Sequence, residues 1–251
     1  MSKPSVALQL YTVRDFAAKD VPGTLKEVKA MGYDYVELAG TYDLETAVYR
    51  KLLDDAGLQA VSAHLGLRDF ESGAAAKYSA LGCKIVNISS LQDDELPGGA
   101  NFEATKAALI KAAAQCKEHG MALGYHNHAW EFETLPCGTF ILDALFDATS
   151  PDVLVTQIDT GWVTAAGQDP AAYIKKHAGR CPTVHLKDII DVNGNFEDRP
   201  VGKGKQDMAA VTKAAAESGA WLMVVELDAA VGMTSLEAAK ESREYLKSLG
   251  Y

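Results

Sequence analysis

The sequence predicts an α/β fold, a single (β/α)₈ barrel domain over residues 1–251. Eight short aliphatic or β-branched runs each precede a longer stretch with helical spacing, and these units recur about every thirty residues. No Pro-, Ser- or Gly-rich linker divides the chain. At 251 residues the chain has the length of one barrel domain.

Each predicted strand is a short apolar run that ends at a polar residue or a turn signal. The eight predicted strands are Val6–Tyr11, Tyr33–Leu38, Gln59–His64, Lys84–Ser89, Ala122–Asn127, Val153–Asp159, Pro182–Lys187 and Leu222–Leu227. The competing fold, a doubly wound open sheet, loses its commonest cofactor uses because neither GxGxxG nor GxxxxGK[ST] follows the first strand.

The predicted helices carry their own start and stop signals. Thr24 and Glu27 have the spacing of a capping box with Gly32 as the stop, and Thr234 and Glu237 repeat that capping spacing before the last helix. Further helices are predicted over Leu44–Ala56, Ala74–Leu81, Ala104–His119, Phe140–Ala148, Pro170–His177 and Met208–Ser218. Ile189–Gln206 is predicted to be irregular, and loops of that length are usually functional.

Composition argues against several classes of partner. The formal charge is −10, from 24 Lys+Arg against 34 Asp+Glu, and the scattered basic residues predict no nucleic-acid binding. No apolar run is long enough to span a membrane and the N-terminus has no signal-peptide pattern, so we predict a cytoplasmic protein. Cys83, Cys116, Cys137 and Cys181 lie far apart, which indicates neither a zinc knuckle nor a disulfide framework.

Polar residues stand at the ends of most predicted strands. They are Glu37, His64, His126 with His128, Asp159, His185 with Lys187, and Glu226. In a parallel barrel these strand ends meet at one rim, where active sites are built. A set of two His, one Asp and one Glu there would suit Zn²⁺, Mn²⁺, Co²⁺ or Fe²⁺ better than Ca²⁺. Each residue alone also fits a structural role, and Asp159 could cap a helix beginning at Thr160.

At these positions the sequence resembles the sugar phosphate isomerase/epimerase superfamily. These xylose isomerase-like TIM barrels include endonuclease IV, inosose dehydratase, hydroxypyruvate isomerase and the ketose 3-epimerases. The resemblance covers essentially the whole chain, through QLYTVRD, GYDYVELAG, GYHNHAWEFE, QIDTGW, VHLKD, PVGKGKQD and VVELD in that order. It implies the same barrel fold, and the HNH of the fifth segment is closer to that of inosose dehydratase than to that of the ketose 3-epimerases.

The resemblance implies one divalent metal ion, with Mg²⁺ as a further candidate species. Asp159, His185 and Glu226 match three of the family's ligands. At the remaining position, on the fifth strand, many relatives have Glu where this chain has His126. We favour His126 as the fourth ligand and keep Glu131 as the alternative, or as an acid or base.

The expected activity is that of a metal-dependent sugar isomerase or epimerase, which abstracts a proton α to a carbonyl through a metal-stabilised enediolate. Glu226, His128 and Glu131 are the proton-transfer candidates. Lys187 would neutralise an oxyanion, or else form an ion pair with Asp188 or another rim carboxylate.

Further residues are expected to bind the substrate, a small sugar or polyol. The sequence leaves open whether the chain forms a homo-oligomer. Gln9, Glu37 and His64 would face its hydroxyls, and Trp130 and Trp162 would pack on its apolar face unless they are core residues.

Three alternatives to this function stay open. The nearest is a dehydratase or lyase acting on a keto-sugar, an inosose or a 3-keto-glycoside. An abasic-site endonuclease would need a basic groove, against which the charge of −10 argues. A non-catalytic sugar-binding barrel would bind its ligand regardless of chelator.

Overall fold

Eight parallel strands form a closed barrel, as predicted. The structure, a computed structural model, describes residues 3–251. The barrel strands are β1 (Ser5–Gln9), β2 (Tyr35–Ala39), β3 (Gln59–Leu65), β4 (Ile85–Ile88), β5 (Ala122–His126), β6 (Val155–Asp159), β7 (Thr183–Leu186) and β10 (Leu222–Val225). Strand β1 pairs in parallel with both β2 and β10, which closes the circle. Every predicted strand is present, with each end within two residues of its predicted position.

Helices surround the barrel. They are α1 (Arg14–Ala17), α2 (Val21–Ala30), α3 (Thr46–Ala56), α4 (Ala74–Leu81), α5 (Phe102–Glu118), α6 (Ile141–Asp147), α7 (Thr160–Ala165), α8 (Pro170–Lys176), α9 (Met208–Glu217) and α10 (Ser235–Ser248). Short 3₁₀ turns lie at Leu10–Val13, Leu67–Ser72, Asp93–Glu95 and Trp130–Phe132. Within residues 3–251, no helix combines the length and apolarity that a bilayer crossing requires.

The two predicted capping boxes have different outcomes. At α10, Thr234 accepts from the backbone N–H of Glu237 and the Glu237 carboxylate accepts from that of Thr234, as predicted. The prediction at Thr24 is wrong, because α2 begins earlier and Asp20 caps it by accepting from the N–H of Gly23. Thr24 lies inside the helix, where its hydroxyl donates to the carbonyl of Asp20.

The segment predicted to be irregular, Ile189–Gln206, contains most of a hairpin instead. Strands β8 (Asp188–Val192) and β9 (Asn195–Arg199) pair antiparallel directly after β7. The turn uses Asn193 and Gly194, both at positive φ, as two-residue hairpin turns favour. The sequence did not indicate these strands because neither alternates: β8 is buried only at Asp188 and Ile189, and no residue of β9 is buried.

The barrel interior is apolar at its amino end and polar at its carboxyl end. Ala7, Val61, Leu222 and Val224 form a small buried cluster inside the strands. Residues two apart share a face of a strand, so Gln9 extends the inward row that contains Ala7. The larger apolar core packs the outer strand faces against the helices. The polar layer therefore lies where barrel active sites are built.

Candidate active site at the carboxyl end of the barrel

A cavity of about 500 Å³ opens at the carboxyl ends of the strands. Six of its lining residues are predicted site residues, and they are Gln9, His64, His126, His128, Lys187 and Glu226. The sequence analysis missed Tyr11, Ser89, Ser90 and Asp228, which also line it. Ser and Asp residues at strand ends are common as caps and turns, so sequence alone gave them no distinguishing signal.

Four buried side chains from four strand ends meet at the base of this cavity. One ligand atom from each of His126, Asp159, His185 and Glu226 lies within 4.8 Å of the other three. Asp159 Oδ2 lies 3.9 Å from both His126 Nε2 and His185 Nδ1, and His185 Nδ1 lies 3.0 Å from Glu226 Oε2. The structure thus brings together the four predicted metal ligands.

The donor set fits a divalent metal ion. Asp159 Oδ2 is buried and forms no hydrogen bond within the described chain, and the Lys187 ammonium lies 3.5 Å away, so this oxygen keeps a lone pair for a metal ion. Burial, together with the neighbouring His185 and His64, holds the pKa of His126 well below its usual value, so its imidazole is neutral and has a free lone pair. Two imidazoles and two carboxylates are a common ligand set for transition metals.

His185 lies between two carboxylates. Its Nδ1 faces Glu226, and its Nε2 lies 2.5 Å from Glu37 Oε1. Burial alone would lower the pKa of His185, but Glu37 and Glu226 outweigh burial and raise it to about 10. Without a cation His185 is therefore an imidazolium, and a metal ion would replace the proton on Nδ1.

Glu37 is not a substrate-facing residue, contrary to the prediction. It is fully buried, and its carboxylate accepts from the side-chain amides of Gln9, Asn87 and Gln157 at 2.8, 3.3 and 2.8 Å. Its Oε1 also contacts His185 Nε2. Glu37 is not among the cavity-lining residues of the described chain, and a substrate hydroxyl would find both of its carboxylate oxygens engaged.

His64 belongs to the same network as Glu37. Its Nε2 lies 2.6 Å from Gln157 Oε1 and 3.1 Å from Glu37 Oε1. Since both oxygens are acceptors, Nε2 carries the proton. His64 also lines the cavity, so the prediction that it contacts substrate stays a prediction.

Glu131 lies outside the four-residue cluster. Its carboxylate accepts from the Tyr125 hydroxyl and from the backbone N–H of His128, both at 2.8 Å. It is fully buried, and its oxygens face the loop after β5. Glu131 therefore holds His128 in place, and neither the alternative ligand role nor the direct acid or base role predicted for it fits this geometry.

Lys187 is a buried ammonium group surrounded by carboxylates. Its Nζ lies 2.7 Å from Asp228 Oδ2, 3.2 Å from Glu226 Oε2 and 3.5 Å from Asp159 Oδ2. Burial would lower its pKa, but these charges raise it well above the usual value. The partner considered from sequence, Asp188, instead accepts backbone N–H groups after the hairpin, including those of Gly202 and Gly204.

Room for the Lys187 side chain depends on a glycine in the segment after β6. A Cβ at Gly161 would lie 2.7 Å from Lys187 Cγ. The QIDTGW segment thus supplies a metal-ligand candidate in Asp159 and the space that Lys187 occupies.

The two tryptophans predicted to pack on a sugar contact cavity-lining residues but do not themselves line the cavity of the described chain. Trp130 is 42% exposed and stacks on the His128 ring with centroids 4.0 Å apart. Trp162 lies under the Lys187 ammonium, which is 4.8 Å from its ring centroid. Both rings therefore support cavity residues, and the predicted direct contact with a sugar stays a prediction.

Comparison with known proteins agrees with this geometry. A family model described as a xylose isomerase-like TIM barrel matches residues 25–249. The chain belongs to the xylose isomerase-like TIM barrel family. The family resemblance predicted from the strand-end motifs is thereby confirmed.

Individual relatives differ in their named activities. An inosose dehydratase of Geobacillus kaustophilus is 26% identical over 216 residues, which cover 68% of this chain and 65% of that protein. The matched region thus spans slightly less than two thirds of that relative.

Two solved structures share the fold. A sugar phosphate isomerase/epimerase of Parabacteroides distasonis has a TM-score of 0.82 at 24% identity and covers 99% of this chain and 95% of its own. An L-ribulose 3-epimerase has a TM-score of 0.74 at 16% identity, with coverage of 98% and 94%.

Proposed function

We propose that this chain is a divalent-metal-dependent enzyme that removes a proton next to the carbonyl of a small, uncharged polyhydroxylated substrate. The convergence of His126, Asp159, His185 and Glu226 within 4.8 Å carries the proposal. When bound there, the ion would polarise the substrate carbonyl and stabilise the negative charge that develops as the proton leaves.

Glu226 is the base in this proposal. Its Oε2 contacts His185 Nδ1 and Lys187 Nζ, so we assign the substrate proton to Oε1. Burial would raise its pKa, but Lys187 and His185 hold it well below the usual value, so Glu226 is ionised at neutral pH. A carboxylate that lines the cavity and is already ionised can accept the proton without prior deprotonation.

In this proposal His128 donates a proton to the substrate, and Lys187 supplies the positive charge that offsets the neighbouring carboxylates. His128 lines the cavity, and Glu131 holds it there, accepting from its backbone N–H and lying 3.7 Å from its Nδ1. His128 is the residue that we assign to proton donation toward the substrate. Lys187 stays protonated and offsets the negative charge of Glu226 and Asp228 when substrate displaces water from the cavity.

The charge of the cavity favours an unphosphorylated substrate. Among the lining residues in the described part of the chain, Lys187 is the only Lys or Arg, and three carboxylates surround it. Nearby Arg14 donates to the backbone carbonyls of Tyr11 and Asp228 at 2.8 and 2.7 Å. A phosphate dianion would meet no unengaged Lys or Arg, whereas sugar hydroxyls suit the serine, amide and imidazole groups there.

Elimination of water is the outcome that we place ahead of epimerisation. The two carboxylates that line the cavity, Glu226 and Asp228, both follow β10, and imidazoles occupy the wall at β5. Epimerisation through paired carboxylates needs one on each face of the substrate, and Glu131 is turned away. A base on one wall and an imidazole acid on the other suits loss of the α proton and of a β-hydroxyl as water.

Three chelator-treated samples test the proposal, namely the wild type, His185→Ala and Asp143→Asn. Each is reloaded with Mn²⁺, Co²⁺ or Zn²⁺ and incubated with ketoses, inososes and keto-glycosides in D₂O. We expect metal-dependent α-proton exchange and an ultraviolet-absorbing enone with the wild type and with the control Asp143→Asn, which changes a carboxylate outside the cavity.

The products discriminate between the outcomes. Exchange without enone, accompanied by a new sugar, would favour the isomerase or epimerase. Exchange that persists in full after chelation, or in His185→Ala, would overturn the metal-dependent proposal.

A further inference from the structure

Glu37 has the contacts of a group that controls which nitrogen of His185 faces the proposed metal. Its carboxylate is fully buried, and three side-chain amides donate to it, those of Gln9, Asn87 and Gln157. These amide N–H groups can only donate, so both carboxylate oxygens of Glu37 act as hydrogen-bond acceptors.

A carboxylate that already accepts from several amides fixes the hydrogen position on its imidazole partner. Glu37 Oε1 lies 2.5 Å from His185 Nε2, so that nitrogen must carry a hydrogen. The other ring nitrogen, Nδ1, faces Glu226 Oε2 at 3.0 Å and Asp159 Oδ2 at 3.9 Å. The atom that points at the other proposed ligands is thus the one that Glu37 leaves free to give its lone pair to a cation.

Neighbouring amides hold Glu37 in this orientation. Gln157 donates through Nε2 to Glu37 Oε2, while its Oε1 accepts from His64 Nε2. Gln9 donates to Glu37 Oε1. Both oxygens are therefore fixed by donors from β1, β4 and β6 together, and the carboxylate cannot rotate away from His185 without leaving buried amides unpaired.

We propose that Glu37 is a positioning residue that orients His185 for metal binding through Nδ1. This inference rests on the proposed function, because it requires that the site bind a metal ion. A carboxylate behind a ligating imidazole fixes its tautomer, raises its basicity and typically changes metal affinity by roughly 10–100-fold. The role differs from the substrate contact expected from sequence, because Glu37 acts through His185.

Glu37→Gln tests the proposal by removing the charge while keeping the size. We expect Zn²⁺ affinity, measured by competition with a chromophoric chelator, to fall roughly 10–100-fold while the stoichiometry stays at one. The absorption bands of bound Co²⁺ should shift. Tyr33→Phe is the control, because it removes a buried hydrogen bond from the Tyr33 hydroxyl to the carbonyl of Ala239 far from the cavity. Its metal affinity should stay within twofold of the wild type.

A second measurement on the wild type keeps the test independent of whether Glu37→Gln folds. Long-range ¹H–¹⁵N NMR of the Zn²⁺-loaded protein should show His185 with a hydrogen on Nε2 and none on Nδ1. The opposite tautomer, or a folded Glu37→Gln protein with unchanged affinity, would overturn the role of Glu37 and leave the proposed function standing. A wild type that binds no metal would overturn both.

Discussion

Asp159 uses its two carboxylate oxygens for two different purposes. Oδ1 accepts from the backbone N–H of Trp162 at 3.0 Å and caps α7, while Oδ2 lies in the four-residue cluster without a hydrogen bond. The structural role and the ligand role that the sequence left as alternatives are therefore compatible in one side chain. The cap fixes the carboxylate so that the second oxygen faces His126 and His185.

Two substitutions separate these roles. Asp159→Asn keeps an oxygen that can cap α7, whereas Asp159→Ala removes it, so we expect the Ala variant to be less stable than the Asn variant by about 1 kcal/mol. Both should lose stoichiometric metal. The measurements are urea denaturation of metal-free protein and elemental analysis. Equal stabilities of the two variants would contradict the capping role, and full metal retention in either would contradict the ligand role.

Removing a carboxylate beside Lys187 should change the response to phosphorylated substrates. Asp228→Asn leaves the ammonium with two carboxylate neighbours rather than three, so a phosphate group meets a less neutralised cation. We expect the wild type to prefer a neutral keto-sugar over its phosphate ester and the variant to reduce that preference. The ratio of kcat/KM for the two substrates is the measurement. A wild-type preference for the phosphate ester would refute the account of the cavity's charge.

Asp143 should contribute stability that disappears in acid. Burial would raise its pKa, but the His177 imidazole 3.6 Å away and hydrogen bonds from Lys176 and Tyr173 lower it to about 2. A carboxylate with a pKa lowered on folding stabilises the protein above its unfolded value near 4 and loses that contribution as pH falls toward 2.

Asp143→Asn is therefore expected to lower the unfolding free energy by about 1–2 kcal/mol at neutral pH, and by nearly nothing at pH about 2. Denaturation of metal-free protein across this range is the measurement. Asp152→Asn, which changes an exposed carboxylate, serves as the control. A difference that stays constant from neutral pH to pH about 2 would argue against the linkage.

Gly124 should be intolerant of a side chain because the polar interior is tightly packed there. A Cβ at this position would lie 2.0 Å from Asn87 Oδ1, and Asn87 donates to Glu37. We expect Gly124→Ala to cost about 1–3 kcal/mol in unfolding free energy. In an Asn87→Ala background the same change should cost much less, so a double-mutant cycle by urea denaturation checks the contact. Additive effects would show that the two positions do not interact.

The fold was predictable because each barrel strand is a short apolar run with a strong terminal signal. Two local features were missed. No residue of β9 is buried and β8 is buried only at Asp188 and Ile189, so the hairpin lacks the alternation that identifies half-buried strands. Thr24 and Glu27 match a capping pattern by spacing alone, while Asp20 caps α2 in the structure.

The candidate site was predictable to the level of which strand ends converge. Parallel topology brings His126, Asp159, His185 and Glu226 to one rim, and the family resemblance selected these four. The depth of each side chain was not predictable. Glu37 ends a strand as the ligands do, yet its carboxylate is fully buried and hydrogen-bonded to the side chains of Gln9, Asn87 and Gln157.

Direct detection of a bound cation is the sharpest test of the claim that the four-residue cluster binds a metal ion. Crystals of the protein soaked in Mn²⁺ should give one strong anomalous peak roughly 2.0–2.3 Å from His126 Nε2, Asp159 Oδ2, His185 Nδ1 and a carboxylate oxygen of Glu226. A peak elsewhere, or Mn²⁺ bound without these four side chains, would contradict the account.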